Sequence, residues 1–408
     1  MYDLAAMGSW AEFAIRWLHV ITAIAWIGSS FYFIALDLGL HRDRNLDSGA
    51  DGEEWQVHGG GFYHIQKYLV APSNMPDGLV WFKWESYSTW LSGFVLLAVV
   101  YYLGAEFYLV DPAVWDIAPG WAIVISMASL AFGWLVYNFL CDRFVNANQT
   151  ALMVVLFVVL VGMAYFYSSV FSGRAALLHL GAFTATIMSA NVFFIIIPNQ
   201  KVVVADLIAG NKPDPKYGKI AKQRSTHNNY LTLPVIFLML SNHYPLAFAS
   251  EYNWIIASLV FLMGVTIRHF FNTMHARKGM PWWTWAATTV LFILVMWLST
   301  APMFRADEPD EAASGAALQF AQAEGFDDVH DIVMGRCSMC HGAEPFYEGV
   351  LWPPKGVRLD NEYQIARQAK AIYLQSGLTH AMPPANLTYM EEEERQKIVA
   401  WYRAATGG

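Results

Sequence analysis

Three side chains near the C-terminus are spaced for chemistry. In "VMGRCSMCHGAEP", Cys337, Cys340 and His341 form C-x-x-C-H. Two close thiols followed at once by an imidazole could hold a zinc ion, shuttle a disulfide, or stitch a porphyrin to the chain and bind its iron. Zinc wants four ligands in a tetrahedron, usually from paired motifs. The only other cysteine, Cys141, lies far off in an apolar stretch. A thioredoxin-like pair wants a βαβ setting, which the surrounding pattern lacks. The motif therefore reads as haem c attachment, with thioether bonds at Cys337 and Cys340 and His341 on the iron. Downstream, "THAMPPANLTYMEEEERQKIVAWYRAA" supplies Met382 in a Pro-rich loop, then a helix. His/Met ligation raises a haem's potential, which makes Met382 the natural second axial ligand. Met390 is the competing sulfur, and core packing is the alternative role for Met382.

A second group of reactive types lies inside apolar sequence. An ionisable residue there is a functional candidate, because lipid does not solvate it. His19 and His179 fall toward one end of their stretches. Glu85, His227, Asn228, Asn229, Arg268, His269 and His275 fall toward the other. Six residues separate His269 from His275, so they occupy different faces of a helix. Only one of them faces a core shared with His227. This inner set reads as a second haem site, a substrate pocket, or a rim of interfacial polar residues.

The elements that must carry these residues are apolar helices. Of 408 residues, 56% are hydrophobic, 15% aromatic and only 14% charged, a membrane-protein composition. Long apolar stretches recur at 11–38, 83–105, 120–141, 150–171, 174–197, 228–249, 253–275 and 281–300. Each is near the ~20 residues a helix needs to cross ~30 Å of hydrocarbon. The expected architecture is all-α. Residues 1–300 form a polytopic bundle of eight transmembrane helices, 301–316 a Pro- and Asp-containing linker, and 317–408 a class I cytochrome c domain. The N-terminus has no basic start and no clear cleavage site, so the first span is expected to stay in the membrane.

Loop charge orients the bundle. Loops 39–80, 142–149, 198–226 and 276–280 carry Lys or Arg, while 106–119 and 250–252 carry none. The positive-inside rule places the basic loops in the cytoplasm and both termini outside. In a bacterium the C-terminal domain is then periplasmic, the compartment where c-type haem is attached. Residues 301–408 hold 9 Lys and Arg against 16 Asp and Glu, a net of −7. So acidic a domain is no nucleic-acid binder and suits a basic protein partner.

Loop 39–80 is too long for a plain connection. "WQVHGGGFYHIQKYLV" reads as two short β segments around Gly59, Gly60 and Gly61, bordered by His58, His64 and Lys67. A glycine run lets backbone approach a planar ligand closely; the alternative is a flexible surface loop.

The spans also repeat. Leu18, His19, Ala25, Ile27, Ser29 and Phe33 match Leu178, His179, Ala185, Ile187, Ser189 and Phe193 at constant offset. Tyr87 and Thr89 match Tyr230 and Thr232; Asn138 and Arg143 match Asn272 and Arg277. This predicts a four-plus-four duplication about an axis along the membrane normal. His19 and His179 then stand at equal distances from the axis and could ligate one b-type haem between them. The alternative is a histidine bonded to a neighbouring helix.

With these residues in hand, "RWLHVITAIAWIGSSFYFI", "HGGGFYHIQKY", "WFKWESYSTWLSG" and "HNNYLTLPVIF", joined to a C-x-x-C-H domain, resemble the bacterial membrane-bound urate oxidases over essentially the whole chain. The first span is also similar to the His-bearing, haem b-binding helix of the membrane protoporphyrinogen oxidases. The resemblance implies oxidation of urate to 5-hydroxyisourate. Electrons leave through the cytochrome domain to a soluble cytochrome c or a terminal oxidase in the bacterial inner membrane. A pocket for that planar anion wants cationic, amide and aromatic groups. Arg268, Asn228, Asn229 and the Gly59–Gly61 loop are the candidates, with Glu85, His64 or His227 as the base. The competing function is a quinol-linked membrane cytochrome with no small-molecule pocket.

Overall fold

The computed structural model describes residues 4–68, 76, 78–112, 114–144, 148–300, 315–347, 350 and 353–407. Of the linker expected at 301–316, residues 301–314 lie outside the described residues.

The apolar stretches fold as α1 (Leu4–Gly39), α2 (Trp84–Leu97), α3 (Pro119–Phe144), α4 (Gln149–Ser168), α5 (Gly173–Ala190), α6 (Pro215–Ser241), α7 (Asn253–His275) and α8 (Trp283–Thr300). After π-helical turns, α2 runs on to Tyr102 and α5 to Ile208. Six of these, all but α2 and α6, are long and apolar enough to cross a membrane. With its π-helical turn α2 covers 84–102, close to the ~20 residues that a crossing needs. The surprise is α6. Its first turns carry Lys216, Lys219, Lys222 and Arg224, residues expected in a loop over 198–226. They are helical because Asp214 accepts the Lys216 N–H at 2.9 Å and Pro215 occupies the first helical position, a strong start signal.

Glycines set how closely the helices approach. A Cβ on Gly133 of α3 would lie 2.1 Å from the Phe183 ring of α5, and one on Gly93 of α2 would lie 2.7 Å from the His19 ring of α1. Likewise Gly264 of α7 receives the ring of Pro234, the proline inside α6. Three packing pairs recur across the two halves, while the packing of α6 on α7 and of α4 on α7 has no comparable counterpart. α1 packs on α2 as α5 packs on α6, α1 meets α7 as α5 meets α3, and α1 meets α6 as α2 meets α5. The halves are unequal in burial. None of the apolar stretch of α1 is buried, against 61% of that of α5, so α5 is the central helix and α1 the peripheral one.

The long connection after α1 holds β1 (Ala50–His58) and β2 (Gly61–Tyr68), an antiparallel hairpin and the only strands among the described residues. Gly59 and Gly60 have φ of 58° and 80°, the two positive values a tight type I′ turn demands. The expected β segments are therefore present. The glycines serve the turn, and a Cβ on Gly59 or Gly60 would meet only open space. The hairpin lies back along α1, because the Tyr32 hydroxyl donates to Gln56 at 2.7 Å. Buried Glu53 ties its strands together, 2.7 Å from His64 and 3.5 Å from Arg44. Trp55 stacks on the His64 ring at 4.2 Å. The His64 hydrogen bond and the charges of His64 and Arg44 hold the Glu53 carboxyl below its usual range, against the opposing pull of burial. A depressed folded pKa contributes stability above the unfolded value and loses it as pH falls through the folded one. Acidification should therefore loosen the hairpin, seen as a shift of the Trp55 signal in fluorotryptophan-labelled protein. Glu53→Gln should abolish that pH dependence; an unchanged transition would sink the assignment.

The described residues of the C-terminal segment hold no strand and form α9 (Gly315–Ala321), α10 (Phe326–Arg336), α11 (Glu362–Arg367) and α12 (Glu392–Thr406) around an apolar core of their own. α10 and α12 cross, with Phe326 against Trp401 at 5.9 Å and the Trp401 indole N–H donating to the Phe320 carbonyl at 2.9 Å. Glu391 and Glu394 form a capping box at the start of α12. The domain meets Phe107, between α2 and α3, and Pro245, between α6 and α7. Both lie at the bundle end opposite the Lys- and Arg-bearing connections.

Candidate functional site

Two sites stand at opposite ends of the molecule. In the C-terminal domain, Cys337 closes α10, and a single helical turn, Ser338–His341, brings Cys340 and His341 round beside it. The His341 Nδ1–H donates to the Val357 carbonyl at 2.8 Å. That bond fixes the ring and its tautomer and leaves Nε2 as a ligating lone pair, the usual way a protein readies a metal-binding imidazole. Neither thiol is in a disulfide. Burial pushes the Cys337 thiol up to about 12 and raises Cys340 as well, which is the opposite of a redox-active thiolate. Among the described residues no three His, Cys, Asp or Glu side chains gather as for a metal ion. Two thiols and an imidazole with a free Nε2 make a donor set that a porphyrin stitched by two thioethers would fit.

The two methionines separate cleanly. Met390 is 3% exposed and belongs to the domain's apolar core. Met382 is half-buried, in a loop held from behind by Arg395. That buried guanidinium donates to the carbonyls of Ser376 (2.6 Å) and Met382 (3.0 Å) and to Asn386 Oδ1 (3.3 Å). Arg395→Ala should strand these acceptors, at about 1–3 kcal/mol for each buried group left unpaired. A thermal melt should show the loss, and unaltered stability would contradict the latching role.

At the bundle's basic end a cavity of about 520 Å³ opens between α4, α6 and α7. Its lining from α6 is Lys219, Lys222, Gln223, Thr226, His227 and Tyr230, one face of a helix at three- and four-residue spacing. Gln149 and Met153 of α4 and Val265 and His269 of α7 complete it. Tyr230 and His269 approach to 3.5 Å, and Gln223 donates to Gln149 at 2.7 Å. Lys222 also faces Asp37, which pairs with Lys67 of the hairpin.

The residues nominated from sequence divide around this cavity. His227 and His269 line it. His227 Nδ1 lies 2.8 Å from the Tyr137 hydroxyl. Asn228 is bonded to Asn191 at 2.9 Å and to the Met188 carbonyl at 3.0 Å. Arg268 is occupied with Asn229 (3.3 Å) and Asn272 (3.0 Å) and lies 4.0 Å over the Phe31 ring. Asn228, Asn229 and Arg268 thus serve as helix-to-helix struts rather than cavity lining. His64 belongs to the hairpin's Glu53 pair and Gly59–Gly61 to its turn, so neither contributes to this cavity. Glu85 Oε2 and His275 Nδ1 are buried without a partner.

Sequence reasoning missed Arg224, Tyr137 and Asn191. Arg224 is fully buried, donating to Asn138 (2.8 Å) and Asp142 (2.9 Å) with Nε and Nη1 unpaired. Lys219, Lys222 and Gln223 were missed as lining residues, although their spacing with Thr226, His227 and Tyr230 was readable.

The paired histidines are not equivalent. His19 Nδ1 is held by the Thr89 carbonyl at 3.0 Å and Ser92 at 3.2 Å, one nitrogen anchored. In fully buried His179, Nδ1 bonds the Ala175 carbonyl at 2.8 Å and Nε2 bonds Ser126 at 2.9 Å. An iron on His179 would have to displace one of these bonds, so the shared haem b expected from the repeat has one anchored histidine and one satisfied core histidine.

No curated protein and no solved structure matches the chain. The model of the family described as Urate oxidase N-terminal matches residues 5–299, the whole helical bundle and both its cavity and its hairpin. On that match the chain belongs to the urate oxidase N-terminal family.

Proposed function

We propose that this protein oxidises urate to 5-hydroxyisourate in the basic-end cavity and delivers the electrons to a haem c held by Cys337, Cys340, His341 and Met382. The observation that carries the reading is the family match over the bundle that contains the cavity. The lining supports it: Lys219 and Lys222 attract an anion, while Gln149, Gln223, Thr226 and His227 offer hydrogen bonds to a ring edge. The overall conversion removes two electrons and two protons from urate plus one water, with the new hydroxyl at C5. His269, in the cavity wall, is the group there that can take a proton.

A haem c at the C-x-x-C-H turn supplies a one-electron carrier there. The chain's part is to hold His341 by Val357 and the Met382 loop by Arg395. The bundle is read as eight spans in a bacterial inner membrane, a four-plus-four repeat with both termini and the acidic domain periplasmic. A basic soluble cytochrome c or an oxidase is the partner for that domain. The cavity and the domain stand at opposite ends, and ~30 Å of hydrocarbon is too far for one electron hop. His19, anchored at Nδ1, offers a place for a haem b between them.

The test is anaerobic addition of urate to the purified full-length protein while the visible bands of haem c are followed. Reduction by urate supports the reading. Reduction by a quinol and not by urate replaces it with a quinol-linked cytochrome.

A further inference from the structure

The bonds behind His227 run in one direction from Met188 to the Tyr137 oxygen. They begin at the main-chain carbonyl of Met188, which can accept but not donate. Asn228 must therefore face it with Nδ2, at 3.0 Å. That turns Asn228 Oδ1 toward Asn191, whose Nδ2 donates to it at 2.9 Å. The second proton on the same Asn191 nitrogen goes to the Tyr137 hydroxyl oxygen at 3.0 Å. Having accepted from Asn191, the Tyr137 hydroxyl has its own proton to give to His227 Nδ1, 2.8 Å away. An amide's orientation is ordinarily assigned rather than seen, but here a backbone carbonyl leaves no choice. Cys141 Sγ, 3.8 Å from the same nitrogen, is only a weak donor and works in the same sense.

We propose that Asn228, Asn191 and Tyr137 hold His227 as its Nε2–H tautomer, so that the ring presents a hydrogen-bond donor to the cavity rather than a base. The ligand class this suits is a planar oxo-anion that accepts through a carbonyl oxygen or a deprotonated ring nitrogen. In that respect the inference rests on urate being the occupant. Tyr137, Asn191 and Asn228 are positioning residues, with no contact to the ligand required of them. The deprotonating role falls to another group.

Two measurements test the parts separately. Nitrogen-15 NMR of ring-labelled histidine in the full-length protein, with the His227 signals assigned by their loss in His227→Gln, reads the tautomer directly. Nδ1 should show the shift of an unprotonated imidazole nitrogen and Nε2 that of a protonated one. Tyr137→Phe should collapse the two toward a tautomer average. A protonated Nδ1 in the unaltered protein overturns the proposal, whatever the cavity binds. Urate binding is measured in parallel. His227→Gln, whose side-chain amide places an N–H near the former Nε2, should bind within about fivefold of the parent. His227→Leu should lose roughly 10- to 100-fold, the scale of one hydrogen bond to a charged group. Equal loss in the Gln and Leu variants overturns the donor role. Absence of urate binding in the parent overturns the substrate assignment and leaves the tautomer to the NMR result.

Discussion

Replacing Cys337 and Cys340 together with alanine should leave a chain carrying no covalent haem, and urate should no longer generate a reduced haem c band. The thiols are the sole means of covalent attachment in this part of the chain, since the third cysteine, Cys141, is buried in α3 near His227. His341 would keep its bond to Val357 but lose the tether that keeps a porphyrin beside it. Haem staining of a denaturing gel reads this directly: the parent band should stain and the double variant should not. A stained band in the variant would place covalent haem elsewhere and remove the basis of the electron path. Met382→Leu is the graded companion. On the proposed ligation its haem should stay covalently bound while its potential falls, because the variant would lack the thioether ligand that favours reduced iron. The same change at Met390, a core side chain, should act on the stability of the domain and leave the potential close to the parent value.

Gly133→Ala should be among the most damaging one-methyl changes in the bundle. The added Cβ would sit 2.1 Å from Cε2 of Phe183 and within 2.7 Å of two further ring atoms. Phe183 is 1% exposed and packs against Tyr167 at 6.3 Å, so its ring has nowhere to withdraw. Overpacking of this kind costs about 1–3 kcal/mol and more where backbone must move; a ring pinned between α3 and α5 belongs at the upper end. The melting temperature of the solubilised protein should fall accordingly. Gly133→Ala combined with Phe183→Leu should be less harmful than the sum of the two single changes, because the smaller side chain makes room for the new methyl. Strict additivity would mean that the notch and the ring do not bear on each other.

Six of the eight apolar stretches were legible as candidate spans because each exceeded or approached a membrane thickness, and the hairpin because its glycine run sat between alternating strands; the helix expected at 228–249 instead runs from Pro215 to Ser241. The start of α6 was not, because a run of lysines reads as a solvated loop unless Asp214 and Pro215 are recognised as a helix start. That one misreading hid the cavity, since Lys219, Lys222, Gln223 and Thr226 share a face only once the helix begins at Pro215. The symmetry between His19 and His179 was visible, but their difference was not. It depends on Ser126 of α3 standing opposite one ring and on Thr89 and Ser92 of α2 standing opposite the other. Composition reports that a helix carries a polar side chain; only packing reports which neighbour it faces. Tyr137 and Asn191 were overlooked for the same reason, as ordinary members of apolar runs whose role comes from meeting across helices.

The central position of α5 has a consequence for how the protein is made. Its polar groups do not find their partners at the same moment. When His179 emerges, Ser126 has already been synthesised on α3, and the ring can be satisfied on arrival. Asn191 finds Tyr137 of α3 already made, but its second acceptor, Asn228, lies 37 residues further along the chain. At a synthesis rate of about 5–20 residues per second the delay is roughly 2–7 s. For that interval the most buried of the six long apolar helices carries an amide with one of its two Nδ2 protons unmatched and has no α6 or α7 to cover it. Its half-assembled state is the one most in need of a membrane chaperone, and slowing translation between α5 and α6 should lengthen its exposure.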